Sequence, residues 1–215
     1  KSLPKQTKRE HGIYFTPPST ISNLLNNIIP KFVDQDTIRV LEPSCGSGEF
    51  ITVLCEKFTD KNLQIDAIEN NKTVFDSIKP IFEQDSRVKL FNEDFLDYNP
   101  TQQFDLIVGN PPYFVMKKQE VDESYYPFFD CRPNVFLLFI IKSMNHLKNN
   151  GILSFVLPKS FLNCLYYNKT RELLNKEYVI LGIQECRDEY IETKQETVIL
   201  TLQKKNHMSE NEKYM

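Results

Sequence analysis

The sequence has 215 residues, of which 40% are hydrophobic, 12% aromatic and 26% charged, and its formal net charge is −3. The hydrophobic fraction excludes a disordered chain, and no apolar run approaches the roughly 18 residues of a membrane-spanning helix. The basic, polar first ten residues lack the apolar segment of a signal peptide. We therefore expect a globular, cytoplasmic protein with one sizeable core.

The cysteines and histidines are widely spaced and contain no CxxC or histidine pair, which excludes the usual zinc motifs and a disulfide framework. We therefore expect an intracellular protein without a metal. The cysteines are Cys45, Cys55, Cys131, Cys164 and Cys186, and the histidines are His11, His146 and His207.

Short apolar segments alternate with amphipathic ones, which predicts a doubly wound, Rossmann-like α/β fold with a mostly parallel sheet. No helix fits between the last two strands, so we expect one of them to be antiparallel. The predicted strands are 37–42, 63–69, 88–94, 104–109, 152–157, 178–184 and 197–202. The predicted helices are one that begins at Pro17, followed by 48–58, 73–82, 134–147 and 160–176.

Three local signals suggest where these helices begin and end. Thr16 is placed to cap the first helix, and Ser160 to cap the last one. The Asn-Asn-Gly sequence at 149–151 is expected to end the apolar helix before it.

A glycine-rich segment, LEPSCGSGEF at 41–50, follows the first predicted strand and opens the next helix. Gly46 and Gly48 allow a tight turn and the close approach of a ligand to the backbone. Glu69 ends the second strand about twenty residues further on, where an acid accepts hydrogen bonds from ribose hydroxyls. Glu42 would repel a phosphate and suits a cation such as an ammonium group.

The tetrapeptide Asn110-Pro111-Pro112-Tyr113 directly follows the predicted strand 104–109. The prolines fix the backbone and remove two N–H donors, leaving the Asn110 side-chain oxygen and the Pro111 carbonyl as acceptors. Two acceptors can hold both hydrogens of a planar amino group and make its nitrogen more nucleophilic, while a base stacks on Tyr113. Both motifs follow strands, at the edge where open α/β sheets bind ligands.

Together, these motifs resemble those of gamma-class DNA adenine-N6 methyltransferases of type II restriction–modification systems. In chain order they are YFTPP (14–18), LEPSCGSGEF (41–50), IEN (68–70), EDF (93–95), NPPY (110–113), PNVF (133–136) and GILSFVLPKSF (151–161). The resemblance implies a seven-stranded sheet with an antiparallel last strand, S-adenosylmethionine as cofactor and double-stranded DNA as partner. It implies a catalytic domain over 1–205 and a polar tail or linker at 206–215, with target recognition left to a separate domain or subunit.

The resemblance also implies roles for individual side chains. Glu42 would hold the ammonium group of the cofactor, Glu69 its ribose and Asp94 its adenine. The residues expected to bind the cofactor are Phe15, Thr16, Glu42, Pro43, Cys45, Gly46, Gly48, Glu69, Asn70, Asp94, Phe95, Asn110 and Phe139. The expected catalytic residues are Asn110, Pro111, Pro112 and Tyr113.

Base flipping is expected, because the target amino group lies inside a duplex. Tyr113 and Tyr190 would stack on the two faces of the extruded base. The connection 115–133 would supply Lys117, Lys118 and Arg132 to the DNA backbone. Methyl transfer would be direct, since no cysteine is well placed to form a covalent intermediate.

Three alternatives remain open at this point. The same amino-group chemistry would serve RNA adenine-N6 methylation or protein glutamine-N5 methylation, because a glutamine amide is also planar with two N–H donors. The chain could also be a cofactor-binding subunit that is active only with a DNA-reading partner.

Overall fold

A seven-stranded sheet organises the chain in the computed structural model, which describes residues 16–130, 132–186 and 196–206. Its strands are β1 (Thr37–Glu42), β2 (Asn62–Ile68), β3 (Val88–Phe91), β4 (Phe104–Gly109), β5 (Leu147–Pro158), β6 (Tyr178–Glu185) and β7 (Thr197–Lys204). The helices are α1 (Pro18–Ile28), α2 (Glu49–Lys57), α3 (Lys72–Phe82), α4 (Val135–His146) and α5 (Asn168–Glu177). This confirms the predicted alternation of strands and helices.

The strand order across the sheet is β3-β2-β1-β4-β5-β7-β6. Strand β7 runs antiparallel to both of its neighbours, and the other pairs are parallel. The predicted antiparallel last strand is therefore confirmed. The chain leaves β1 toward β2 and returns to the other side of β1 as β4, so a switch point lies between β1 and β4, where such sheets bind ligands.

Two hydrophobic cores cover the two faces of the sheet. One contains the apolar faces of α1, α2 and α3, and the other contains α4 and α5. Helix α4 is apolar nearly all round, and its residues from Val135 to Ser143 are all buried. A helix of this kind must be covered on every side, which the sheet and the 115–133 connection achieve.

The predicted cap at Thr16 is wrong. Pro17 occupies the N-cap position of α1, and no side chain caps this helix end. The hydroxyl of Thr16 instead accepts a hydrogen bond of 3.0 Å from Nδ2 of Asn110. A proline at the start of a helix needs no N–H partner, which leaves the threonine available for this longer-range contact.

The predicted helix 160–176 is divided, so Ser160 caps no α-helix. Two 3-10 turns, Lys159–Leu162 and Leu165–Tyr167, precede α5. The guanidinium of Arg171 donates to the carbonyls of Phe161 and Cys164 at 2.6 and 2.8 Å. These bonds satisfy carbonyls that a continuous helix would have satisfied internally.

The Asn-Asn-Gly sequence at 149–151 does not end α4, which already ends at His146 and leads directly into β5. Phe104 pairs with Leu147 and Leu106 pairs with Ile152, so residues 148–151 bulge out of the ladder. Lys204 of β7 donates to the carbonyls of Met144 and Leu147 at 2.8 and 2.9 Å. This side chain, rather than a glycine, satisfies the end of the helix.

The connection 115–133 contains two 3-10 turns, Lys118–Glu120 and Glu123–Phe128. Its base is closed by a bridge between Val115 and Asn134, and Val121 and Phe129 are buried. This long connection therefore packs against the core that contains α4.

Candidate functional site

A cleft of about 520 Å³ opens at the carboxyl ends of β1, β2 and β4. The sequence-predicted residues that line it are Pro43, Gly46, Glu69, Asn70, Asp94, Phe95, Asn110, Pro112 and Phe139. They come from several separate motifs, and the parallel strands bring those motifs to one edge of the sheet.

The glycine-rich turn forms the floor of the cleft near β1. The Cys45 N–H donates to the Ile68 carbonyl at 2.8 Å, which ties the turn to the end of β2. Gly46 has φ +54°, and a Cβ built there would meet nothing within 4 Å. Gly48 has φ +85°, but a Cβ there would lie 2.4 Å from the Phe82 ring. Gly46 therefore leaves room beside the cleft, whereas Gly48 is required by packing against α3.

Glu69 closes the other side of this turn. Its Oε2 accepts from the Gly46 N–H at 3.0 Å, and its Oε1 accepts from the Asn71 N–H at 2.7 Å. Burial raises the pKa of Glu69, and these two backbone hydrogen bonds oppose the rise. Each carboxylate oxygen has a further lone pair, so Glu69 can still accept hydrogen bonds from a ligand in the cleft.

Glu42 ends β1, one residue before Pro43 of the cleft lining. It is 1% exposed, and its Oε2 has no hydrogen-bond partner among the described residues. Burial raises the pKa of this carboxyl well above its usual value, and the charges of Glu49 and Glu69 raise it further. A buried, unpartnered carboxylate costs free energy unless a cation or a donor satisfies it.

Cys45 lies beside this carboxyl in the turn. Burial raises the pKa of its thiol well above the usual value, and Glu42 and Glu69 add to the effect. The thiol therefore stays protonated, which does not suit a nucleophile.

The loop 92–99 forms the opposite wall of the cleft and carries Asp94 and Phe95. Asp94 accepts from the Asn70 amide at 3.2 Å and from the Leu96 N–H at 2.9 Å. The Phe95 ring packs on Phe139 of α4 with ring centroids 4.9 Å apart. This wall thus combines a polar acceptor with two aromatic rings, an arrangement that suits a flat heterocycle with an amino group.

The Asn-Pro-Pro-Tyr corner lies where β4 ends. Asn110 is held at both ends of its amide, because Nδ2 donates to Thr16 at 3.0 Å and Oδ1 accepts from the Tyr113 hydroxyl at 2.5 Å. The same hydroxyl lies 2.7 Å from the Val156 carbonyl of β5. The Tyr113 ring also meets Phe136 edge to face at 6.1 Å. The corner is therefore fixed by contacts to three separate parts of the chain.

Other predicted site residues do not line the cleft itself. Within the described ranges these are Thr16, Glu42, Cys45, Gly48, Pro111, Tyr113, Lys117, Lys118 and Arg132. Lys117 pairs with Glu120 at 3.5 Å, and the Lys118 ammonium lies 4.4 Å from the centre of the Tyr126 ring. Phe15 and Tyr190 lie outside the described residues.

Several residues that line the cleft were not predicted from the sequence. They are Ser44, Asn71, Lys72, Thr73, Leu96, Phe114, Met116 and Val135. Asn71 accepts from the N–H groups of Thr73 and Val74 and so caps α3. This capping pattern, directly after the IEN motif, was the signal that could have placed the start of α3 at the cleft.

Two further properties of the described residues bear on the site. Between residues 16 and 206, apart from the undescribed positions, no three His, Cys, Asp or Glu side chains are grouped as a metal would require. None of the described helices has both the length and the hydrophobicity to cross a membrane.

Comparison with known proteins identifies related sequences and folds. The family model for the Eco57I restriction-modification methylase matches residues 20–191. Modification methylase CviBIII of Paramecium bursaria Chlorella virus NC1A is 33% identical over 175 residues, which cover 81% of this chain and 45% of that protein. Type II methyltransferase M.CvrRI of Paramecium bursaria Chlorella virus XZ-6E is 32% identical over 176 residues, 81% of this chain and 43% of that protein. The chain thus spans less than half the length of these relatives.

Among solved structures, one described as a class I S-adenosylmethionine-dependent methyltransferase from Listeria monocytogenes superposes with a TM-score of 0.81. It is 18% identical, and the match covers 96% of this chain and 67% of that chain. At this level of identity, the similarity establishes the fold.

Proposed function

Since the chain belongs to the Eco57I restriction-modification methylase family, we propose that it transfers a methyl group from S-adenosylmethionine to the N6 amino group of adenine in DNA. One observation carries the proposal. Asn110 lines the cleft, and its amide is held in place by Thr16 and Tyr113. This supports the proposal, because Asn110 would then adjoin the cofactor and also present an acceptor to the target amino group.

Three chemically distinct groups of residues, two in the cleft and one buried beside it, suit the three parts of S-adenosylmethionine. The unpartnered Glu42 carboxylate, beneath the turn, suits its ammonium group. Glu69 has acceptor capacity left for the ribose hydroxyls, and Asp94 with the Phe95 and Phe139 rings suits the adenine. Gly46 leaves open space where a side chain would otherwise intrude. When bound, S-adenosylmethionine would supply a methyl group activated by a positively charged sulfur.

Asn110 would accept one hydrogen of the target amino group through Oδ1. Thr16 accepts from Nδ2, so the oxygen is the end of the amide that remains for the substrate. The Tyr113 hydroxyl has one hydrogen, which cannot serve both Asn110 and the Val156 carbonyl fully. When that hydrogen points to Val156, Oδ1 is released to accept from the substrate.

The Pro111 carbonyl would accept the second hydrogen of the amino group. Two acceptors held in place would stabilise the positive charge that develops on nitrogen as the N–C bond forms and the methyl–sulfur bond breaks, and one amino hydrogen would then leave as a proton to water. The rigidity of the proline pair matters here, because a fixed geometry spares the entropy of orienting the reacting groups. Catalysis would thus rest on positioning and electrostatics, with the Cys45 thiol taking no part.

The target base would leave the duplex and stack on the Tyr113 ring, a contact worth about 1–3 kcal/mol per base. The hydroxyl contacts to Asn110 and Val156 support this role, since they hold the ring at the corner. Tyr190 would cover the other face of the base. Lys117, Lys118 and Arg132 are exposed on or beside the 115–133 connection and would contact phosphates.

A methyl-transfer assay with labelled S-adenosylmethionine tests the proposal. Duplex DNA, RNA and a protein release factor are offered in parallel, and the methylated product is identified by mass spectrometry. We expect N6-methyladenine in DNA, and we expect Asn110→Ala to lower turnover by about 10²–10³-fold. Asn27→Ala is the matched control, since Asn27 is an exposed residue of α1 whose amide donates to Oε1 of Gln184, and neither residue lines the cleft.

Label on RNA alone, or on a protein glutamine alone, would overturn the DNA substrate. Label on DNA cytosine would overturn the choice of base. Cofactor binding without transfer to any acceptor, followed by transfer once a DNA-reading subunit is added, would favour the partner-dependent alternative.

A further inference from the structure

Lys142 is the one lysine in α4, whose sequence VFLLFIIKSMNH is otherwise apolar over most of its length. It is only 8% exposed. Lysine is rarely buried to this extent, and moving an ammonium group out of water is costly unless hydrogen bonds replace the lost hydration. The position of this side chain therefore calls for a specific set of acceptors.

The acceptors are in the loop 92–99. The Lys142 Nζ donates to the Leu96 carbonyl at 2.7 Å and to Oδ1 of Asn99 at 3.2 Å. Burial lowers the pKa of Lys142, while the carboxylates of Asp97, Asp94 and Glu93 oppose that change. The buried Lys142 ammonium thus binds the loop 92–99, which carries these three carboxylates.

Leu96 connects the Lys142 ammonium to the cleft. Its carbonyl accepts from Lys142, while its N–H donates to Oδ1 of Asp94 at 2.9 Å. The Leu96 backbone therefore links the Lys142 ammonium to the Asp94 carboxylate through two hydrogen bonds. Phe95 lies between them in sequence and packs on Phe139, one turn before Lys142 on α4. Phe95 and Leu96 of the loop are therefore both held by side chains of α4, and Asp94 is held through Leu96.

We propose that Lys142 is a positioning residue for the adenine end of the cleft. Its ammonium fixes the backbone of residues 94–99 and thereby the orientation of Asp94 and Phe95 toward the ligand. The identity of that ligand rests on the proposed function, but the hold of Lys142 on the loop does not.

Hydrogen exchange on the unliganded chain tests directly whether Lys142 fixes the backbone of residues 94–99. In Lys142→Met, we expect the Asp97 and Tyr98 amides, which bond to the Asp94 carbonyl, to exchange about tenfold faster. Lys204→Met is the control, because Lys204 is a partly buried lysine that donates to two carbonyls at the C-terminal end of α4, those of Met144 and Leu147, rather than to the loop 92–99. We expect it to leave exchange in the loop unchanged. Equal exchange in Lys142→Met and the parent chain would overturn the proposal.

Ligand binding then tests the consequence at the cleft. Calorimetry with adenosine and with S-adenosylhomocysteine should show about tenfold weaker binding to Lys142→Met, or about 1.4 kcal/mol, and no change for Lys204→Met. Because Lys142 positions Asp94 together with Phe95, the double variant with Asp94→Asn should lose less binding free energy than the sum of the two single losses. Fully additive losses would show that Lys142 acts independently of Asp94 and would contradict the proposal.

The two proposals fail in different ways. If the parent chain binds neither adenosine nor S-adenosylhomocysteine, the proposed function is wrong, and the exchange measurement still decides the role of Lys142. If Lys142→Met does not fold, Lys142→Arg keeps the charge on a longer, planar group that cannot reproduce the same contacts. Faster loop exchange and weaker adenosine binding in Lys142→Arg would then support the proposal, and parent-like values would overturn it.

Discussion

Glu42 is an acidic residue whose burial costs folding stability. The carboxyl is buried without a partner for Oε2 among the residues described, and its pKa is raised chiefly by burial. The sequence predicted an acid that prefers a cation at this position. It could not predict the depth of burial, because that depends on how β1 and β4 pack around the side chain.

We expect Glu42→Gln to raise the free energy of unfolding of the unliganded chain at neutral and alkaline pH. The pKa of Glu42 is higher in the folded chain than in the unfolded chain, so its proton favours folding at low pH, and that advantage is lost as pH rises through the folded pKa. The gain from the amide should therefore vanish below about pH 4.5 and grow as pH increases. Chemical denaturation at several pH values measures this; a pH-independent difference would contradict it.

The same variant should bind S-adenosylmethionine at least tenfold more weakly, because the ammonium loses its buried counterion. Isothermal calorimetry provides the measurement. Unchanged affinity would separate Glu42 from the methionine end of the cofactor.

Tyr113 carries a ring and a hydroxyl whose contributions can be separated by substitution. Tyr113→Phe keeps the ring but removes the hydroxyl that contacts Asn110 and Val156. We expect the variant to keep the stacking contact, whereas Tyr113→Ala should lose about 1–3 kcal/mol of base binding. Binding of duplex DNA that carries 2-aminopurine at the target position distinguishes the two variants by fluorescence. Equal losses in both would show that the ring does not stack on the base.

At the scale of elements, most predicted bounds agree with the structure to within about two residues, and the larger differences are the end of β3, the start of β5 and the start of α5. The strand Phe104–Gly109 has the predicted bounds, because a short apolar run between polar segments has few alternatives. Helix ends depended on distant partners: Arg171 bonds the carbonyls of the 159–167 turns, and Lys204 bonds the end of α4. Such contacts across the fold leave no local signal, which is why Ser160 and the Asn-Asn-Gly sequence were assigned the wrong roles.

The two glycines of the turn between β1 and α2 are expected to respond differently to substitution. Gly48→Ala places a Cβ against the Phe82 ring at positive φ and should lower the free energy of unfolding by about 2–4 kcal/mol. Gly46→Ala meets no neighbour, so only the backbone strain of about 1–2 kcal/mol remains. Thermal unfolding measures both effects.

The affinity for S-adenosylhomocysteine should also distinguish Gly46→Ala from Gly48→Ala. Gly46→Ala should impair binding of S-adenosylhomocysteine because its Cβ enters the space beside the cleft. Gly48→Ala should bind normally at temperatures where it is folded, since Gly48 does not line the cleft. The reverse pattern would contradict the division of roles between the two glycines.

At the scale of the whole molecule, the fold brings motifs that are far apart in sequence to one edge. The glycine-rich turn follows β1 and the Asn-Pro-Pro-Tyr corner follows β4, and these strands are neighbours at the switch point of the sheet. Both motifs directly follow predicted strands, and open sheets bind ligands at the carboxyl ends of their strands. The sequence was therefore sufficient to predict that the two motifs lie at one edge of the sheet. The Thr16–Asn110 contact joins residues 94 positions apart and could be found only in three dimensions.

A crystal structure of the chain bound to S-adenosylmethionine tests the central claim most directly. We expect the ammonium group at Glu42, the ribose at Glu69, the adenine between Asp94 and Phe139, and the methyl group directed toward Asn110. A cofactor bound elsewhere on the molecule, or bound with its methyl group turned away from Asn110, would contradict the account.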